Sequence, residues 1–192
     1  TDGAKLGEIS SPSVSDIVKF TLLWSDNVLA DRLARTAAKK AGFATDETGI
    51  QNVFEATLNT LQIPATGLQV FDGNGLSHDD RVSPRTIADL LVKIKDNPTY
   101  QPVIEGLPTA GKTGTLKNRF VNDAPTAVGL VKAKTGWINN SVALAGYVNV
   151  GNQKYVFAVI ADHVKPYEVY RAQAREAIDK MLGTIATPPT NN

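Results

Sequence analysis

The sequence contains no cysteine. Disulfides, thiolate zinc sites and cysteine nucleophiles are therefore excluded. The lack of thiols suits an oxidising envelope compartment without requiring one. Only two histidines occur, His78 and His163, too few for a His-rich metal site. Neither sign of charge dominates: 20 Lys and Arg stand against 19 Asp and Glu, a net charge of +1. Nothing in that balance calls for a nucleic-acid or anionic-membrane partner. No apolar run reaches the roughly 18 to 20 residues that a bilayer span needs, and membrane association is not indicated. The opening Thr1-Asp2-Gly3-Ala4-Lys5 is polar, unlike a signal peptide. What is present is ordinary globular material, 192 residues with 42% hydrophobic and 20% charged, enough for one domain or one large lobe of a bigger protein.

The first half reads as helical. Ser11-Pro12-Ser13 is a helix-start signal, followed by Val14, Ile17, Val18 and Leu22 at helical spacing. Ser25-Asp26-Asn27 interrupts the pattern with short polar side chains that favour turns and N-caps. Val28, Leu29, Leu33 and Ala37 define a second helix, which ends at Lys39-Lys40-Ala41-Gly42. Thr48-Gly49-Ile50-Gln51 reads as a capping box for a third helix ending near Leu61. Ser83-Pro84 opens a fourth, through Ile94. From Val128 the texture becomes that of strands. Val131, Ala133 and Thr135 alternate with Lys132 and Lys134. Val142 to Val150 is a second strand, and Tyr155 to Ile160 is a third, apolar enough to be central. Gly151-Asn152 is a hairpin turn signal. A last helix is expected over about 166–182, then a loose tail at 184–192. Trp24 and Tyr147 read as packing aromatics, and His78-Asp79-Asp80 as a solvated loop.

One tripeptide occurs twice, as Lys112-Thr113-Gly114 and as Lys134-Thr135-Gly136. The first copy completes Gly106-Leu107-Pro108-Thr109-Ala110-Gly111-Lys112-Thr113, which matches the P-loop pattern GxxxxGK[ST] letter for letter. A P-loop needs a strand entering it and a helix leaving it, because the helix N-terminus binds the phosphates. Here Gly114 follows at once, then the loop-like Lys117-Asn118-Arg119 and Asn122-Asp123-Ala124-Pro125. The second copy lies at the end of a strand. With Ser25-Asp26-Asn27 it makes two thirds of the S-x-x-K, S-x-N, K-T-G set of the penicillin-recognising serine acyl enzymes. The residue types suit that chemistry. A lysine beside a second lysine has its pKa pushed down and can serve a serine nucleophile as base. A hydroxyl such as Ser25 can relay a proton between the lysines, and an amide such as Asn27 can grip a peptide bond. Lys134 and Thr135 can bind a terminal carboxylate, and Gly136 lets a substrate backbone lie on the strand edge.

Longer stretches carry a resemblance. They are Trp24 to Asp31, Asp72-Gly73-Asn74-Gly75-Leu76-Ser77, Arg81-Val82-Ser83-Pro84, Leu107 to Leu116, Val131 to Gly136, and Leu144-Ala145-Gly146-Tyr147. In order and spacing the chain resembles the D-alanyl-D-alanine carboxypeptidase/endopeptidase family, the class C low-molecular-mass penicillin-binding proteins. The resemblance puts the first Lys-Thr-Gly on that family's AG-x-x-GTL loop, so the functional copy is Lys134 to Gly136. It implies catalytic roles for Ser25, Asn27 and Lys134. It implies substrate binding by Thr135, Gly136, Trp137 and Asp72, the last acting indirectly. Trp137 stands where the family usually has a Ser or Thr that helps hold the substrate carboxylate. The backbone N–H at 137, used by the family in its oxyanion hole, is present with any side chain. No serine here is followed by lysine three positions later. Thr36 to Lys39 and Thr109 to Lys112 have the spacing but not the serine. The chain thus resembles the C-terminal part of such an enzyme, without its nucleophile and general base.

The resemblance implies an α/β (α+β) fold with a mainly antiparallel sheet flanked by helices, a partial serine β-lactamase or penicillin-binding-protein transpeptidase fold. Residues 1–183 are expected to form the C-terminal part of the penicillin-binding domain. The last helix is expected on one face of the sheet, and the helices around Ser25 across a cleft. Implied partners are peptidoglycan stem peptides, β-lactams and the missing N-terminal part of the same protein. The implied location is the periplasm or cell envelope, with no metal and no organic cofactor. The other reading is a non-catalytic peptidoglycan- or protein-binding module of the same fold.

Overall fold

The computed structural model describes residues 7–187; the opening pentapeptide and the end of the expected tail lie outside them. Helix α1 spans Val14–Trp24 and starts at Ser13, whose side chain accepts the Asp16 N–H. Helix α2 spans Asn27–Lys40, capped by Asp26 and closed by Lys39 and Lys40 in its last turn. Helix α3 spans Glu47–Thr60. Its cap is Asp46, which accepts the Gly49 N–H, so Thr48 lies inside the helix and the expected capping box starts two residues late. Helix α4 spans Pro84–Ile94, with Ser83 as cap and Pro84 at its first position. A short helix α5, Gln101–Gly106, and three 3₁₀ turns between 98 and 127 carried no clear sequence signal.

Strands β1 (Val131–Ile138), β2 (Ser141–Val150) and β3 (Gln153–Ala161) form an antiparallel sheet in the order β1-β2-β3. The two-residue turn at Gly151 and Asn152 joins β2 to β3, with Gly151 at φ 56°. The central strand is β2, not β3. β3 has a strand on one side only among the described residues, and Val156 to Ile160 are half-buried.

Period-two alternation gives the sheet two apolar faces. On one face Val131, Ala133, Val142, Leu144 and Val148 pack with Ile178 and Leu182 of helix α6, Glu168–Ala186. On the other, Tyr147 packs with Leu91 and Ile94 of α4 and with Leu107, and its hydroxyl donates to the Leu91 carbonyl at 2.9 Å. Helix α6 runs through Ala186, past the expected end near Leu182 and into the stretch expected as tail. Gly183, just past that expected end, is a packing position: a Cβ there would meet Ala124 at 2.8 Å. Arg119 braces α6 through two hydrogen bonds to Asp179, at 2.6 and 3.1 Å. The Asp179 side chain is only 4% exposed.

Segment 108–110 continues the sheet on the outer side of β1. The Ala133 N–H donates to the Pro108 carbonyl, and the Ala110 N–H to the Val131 carbonyl. This added strand stops there. The edge of β1 from Lys134 onward faces a cleft, with α1 and α2 across it.

Candidate active site

Ser25 is made available by a helix junction. Helix α1 ends at Ser25, which adopts the left-handed conformation (φ 57°, ψ 48°), and Asp26 at once caps α2 by accepting the Leu29 N–H at 2.9 Å. A non-glycine residue in that conformation costs on the order of 1 kcal/mol. The junction places Ser25 on the wall of the cleft and Asn27 in the first turn of α2, on the same wall.

Lys134 reaches Ser25 across 109 positions of sequence. Its Nζ donates to Ser25 Oγ at 2.7 Å and to the Thr135 carbonyl at 2.6 Å. Burial lowers the pKa of Lys134 from 10.5 to about 8, because a half-dry cleft wall disfavours the charged ammonium. The Thr135 hydroxyl lies 3.1 Å from that of Thr115. Val131 and Ala133 turn their backbone groups outward to segment 108–110. The same alternation turns the N–H groups of Thr135 and Trp137 to the open edge. Gly136 lies between them, and a Cβ on it would meet the Ala143 Cβ at 3.1 Å.

The cavity among these groups holds about 610 Å³ and is floored by Thr21 and Leu22. Ser25, Asn27, Lys134, Thr135, Gly136 and Trp137 all line it, so six of the seven expected residues converge. Asp72 does not line it. Its carboxylate is folded into its own turn, accepting the N–H groups of Asn74, Gly75 and Ser77 at 3.0, 2.5 and 2.8 Å. It shapes the loop whose Gly73 to Leu76 form one side of the cleft. Asp80, from the expected solvated loop, braces the same region by accepting the Phe71 N–H.

Trp137 differs from the packing aromatics. It is 43% exposed, and its ring carries the Arg175 guanidinium 4.0 Å from its centre and that of Arg171 at 5.2 Å. Trp24 is 57% exposed and is not a core residue, whereas Tyr147 is fully buried. Thr115, from the Leu107 to Leu116 stretch, also lines the cleft, as do Arg119 and Arg175, for which no sequence signal pointed to a site. Arg119 and Arg175 belong there only once the 114–119 turn and α6 are folded against β1.

The first Lys-Thr-Gly copy behaves otherwise. Helix α5 precedes it and a 3₁₀ turn at Gly114–Leu116 follows, so the strand–loop–helix of a phosphate-binding loop is absent. Lys112 and Thr113 are exposed and lie outside the cleft lining.

A sheet edge ending in Lys-Thr-Gly, met by a helix junction bearing Ser-x-Asn, belongs to the penicillin-recognising class of folds. The solved structure of penicillin binding protein 4 from Haemophilus influenzae, complexed with a β-lactam, superposes with a TM-score of 0.74 at 26% identity. That likeness covers 87% of this chain and 41% of that one. Residues 1–185 match the D-Ala-D-Ala carboxypeptidase 3 (S13) family, and the chain belongs to that family. Carboxypeptidase DacB of Mycolicibacterium smegmatis is 29% identical over 188 residues, 95% of this chain and 40% of the relative. A D-alanyl-D-alanine carboxypeptidase of an Actinomadura species is 33% identical over 165 residues, 83% of this chain and 30% of the relative. The chain thus spans less than half the length of the relatives it matches. Among the described residues no helix is long and apolar enough to cross a membrane.

Proposed function

We propose that this chain is the substrate-gripping and proton-relaying part of a serine D-Ala-D-Ala carboxypeptidase/endopeptidase. The observation that carries the reading is the 2.7 Å hydrogen bond from Lys134 Nζ to Ser25 Oγ inside a cleft bordered by an open strand edge. A peptide laid against β1 meets the N–H groups of Thr135 and Trp137, and Asn27 faces it from α2. The N–H of Trp137 serves the carbonyl oxygen as charge develops on it. When the amide bond breaks, the leaving nitrogen takes a proton from the Ser25 hydroxyl, and Ser25 takes one from Lys134. A lysine with a pKa of about 8 can do this near neutral pH.

The acyl-forming serine and its lysine base lie, in this reading, in residues outside the 192, since the sequence holds no S-x-x-K. The proposed substrates are peptidoglycan stem peptides, with β-lactams as acylating inhibitors. The proposed location is the cell envelope, where that substrate is found. Intact-mass spectrometry after incubation with a labelled penicillin tests the division of labour. No adduct is expected on the 192-residue chain. A chain extended upstream until it includes a serine–lysine pair in S-x-x-K register is expected to gain one label. A stoichiometric adduct on the 192 residues would overturn the assignment, and Ser25 would be the first residue to mutate. An upstream sequence without such a pair would favour the binding-module reading.

A further inference from the structure

Among the described residues, three basic side chains line the cleft: Arg119, Lys134 and Arg175. The acid among its lining residues, Asp26, is committed to capping α2. Cations outnumber acids among these lining side chains, which suits an anionic ligand group, while Asp179 and Glu168 pair with two of the cations. The three cations are not equally available. Arg119 is locked by two hydrogen bonds to the buried Asp179. Lys134 is engaged by Ser25 and by the Thr135 carbonyl. Arg175 makes one bond, from Nη2 to Glu168 at 2.8 Å. A guanidinium has five N–H donors in a planar fork, so most of its capacity stays open. Its guanidinium carbon lies 4.0 Å from the centre of the Trp137 ring, at the end of the strand edge where the chain passes Gly136. Trp137 has no hydroxyl and can donate only through its indole N–H.

Resting on the function proposed above, we propose that Arg175, held on Trp137, is the residue that recognises the free carboxylate of the bound peptide. Arg175 is a permanent charge with a geometry matched to carboxylate, and it takes this part from α6 rather than from β1. The Trp137 ring is its platform. It limits the rotamers of Arg175, so less freedom is lost when the carboxylate binds. Glu168, on the same helix, accepts from one terminal nitrogen of the guanidinium and also pairs with Arg171. The cleft should accordingly prefer ligands that end in a carboxylate over neutral ones of the same shape.

The test compares diacetyl-L-lysyl-D-alanyl-D-alanine with its C-terminal carboxamide. Binding to the ¹⁵N-labelled 192-residue chain is followed through backbone signals of β1 and the indole N–H of Trp137. The acid should bind about tenfold tighter than the amide, the scale of one charge-assisted pair. Arg175→Ala should remove that ratio by weakening the acid and leaving the amide within twofold. Arg175→Lys, which keeps the charge and the Glu168 pairing, should retain part of it. In Arg175→Ala, Trp137→Thr should restore part of the preference by supplying a hydroxyl at the strand edge. If both peptides shift β1 signals with equal affinity, or Arg175→Ala keeps the ratio, the assignment of Arg175 is wrong while the cleft reading stands. If neither peptide shifts Ser25 or β1 signals, the cleft reading falls and this inference with it.

Discussion

The two Lys-Thr-Gly copies share every letter and almost nothing else. In 112–114 the tripeptide is loop scaffolding. Thr113 Oγ1 accepts the Thr109 N–H at 2.9 Å, and Lys112 is exposed. Gly114 has φ 52° with the Leu23 carbonyl directly over the position of a Cβ. In 134–136 the tripeptide is an extended strand edge. Alternation sends Lys134 to Ser25, presents the Thr135 hydroxyl beside Thr115, and leaves Gly136 flat beside the cleft. One copy is built for stability and the other for access, and backbone conformation decides which.

The glycines should separate the copies most. Gly114→Ala forces a Cβ into the Leu23 carbonyl at a positive φ and should cost about 2–4 kcal/mol in chemical denaturation. Gly136→Ala asks Ala143 to yield by a few tenths of an ångström and should cost less than about 1 kcal/mol. It should still reduce peptide binding at the strand edge. Equal losses of stability would break the contrast.

The lysines come next. Native Lys134 releases its proton near pH 8, while the unfolded chain holds it to about 10.5. Between those values the unfolded state binds more protons, so folding stability rises with pH. Relative to Lys134→Met, the wild type should gain on the order of 2–3 kcal/mol from pH 8 to pH 10.5. Urea titrations at several pH values would read it, and parallel curves would contradict the burial of the ammonium. Lys112→Met is the control for losing an exposed lysine and should change stability by no more than about 0.5 kcal/mol. The threonines are expected to differ least. Thr113→Val should cost about 1 kcal/mol through the orphaned Thr109 N–H. Thr135→Val should leave stability nearly unchanged and weaken peptide binding several-fold.

How much of this was legible in the sequence follows from the range of each signal. Helices α1, α2 and α4 announce their starts through Ser13, Asp26 and Ser83-Pro84, because caps are local. The strands announce themselves through alternation, and the turn at Gly151-Asn152 through two residues. Non-local facts were not legible. Tyr155 to Ile160 is apolar enough for a central strand, but strand order depends on pairing. The last helix is expected to end near Leu182, and its continuation depends on Gly183 packing against Ala124. Asp72 is expected to serve substrate binding indirectly, and only the folded turn shows how, with its carboxylate accepting three N–H groups of its own loop. In the cleft, Ser25, Asn27 and Lys134 to Trp137 were identifiable because their motifs are short and contiguous. Arg119 and Arg175 reach the cleft only through tertiary position and carry no motif.

Under the proposed function, the second Lys-Thr-Gly copy and Ser25 form one cleft that grips a penicillin-like or peptide ligand without acylation by this chain. The most direct test combines ¹⁵N chemical-shift mapping with intact mass on one sample of the chain in excess penicillin G. Perturbed signals are expected at Ser25, Asn27 and Lys134 to Trp137, with quiet signals at Lys112 and Thr113 and an unchanged mass. A stoichiometric mass gain, or shifts centred on Lys112 to Gly114, would contradict it.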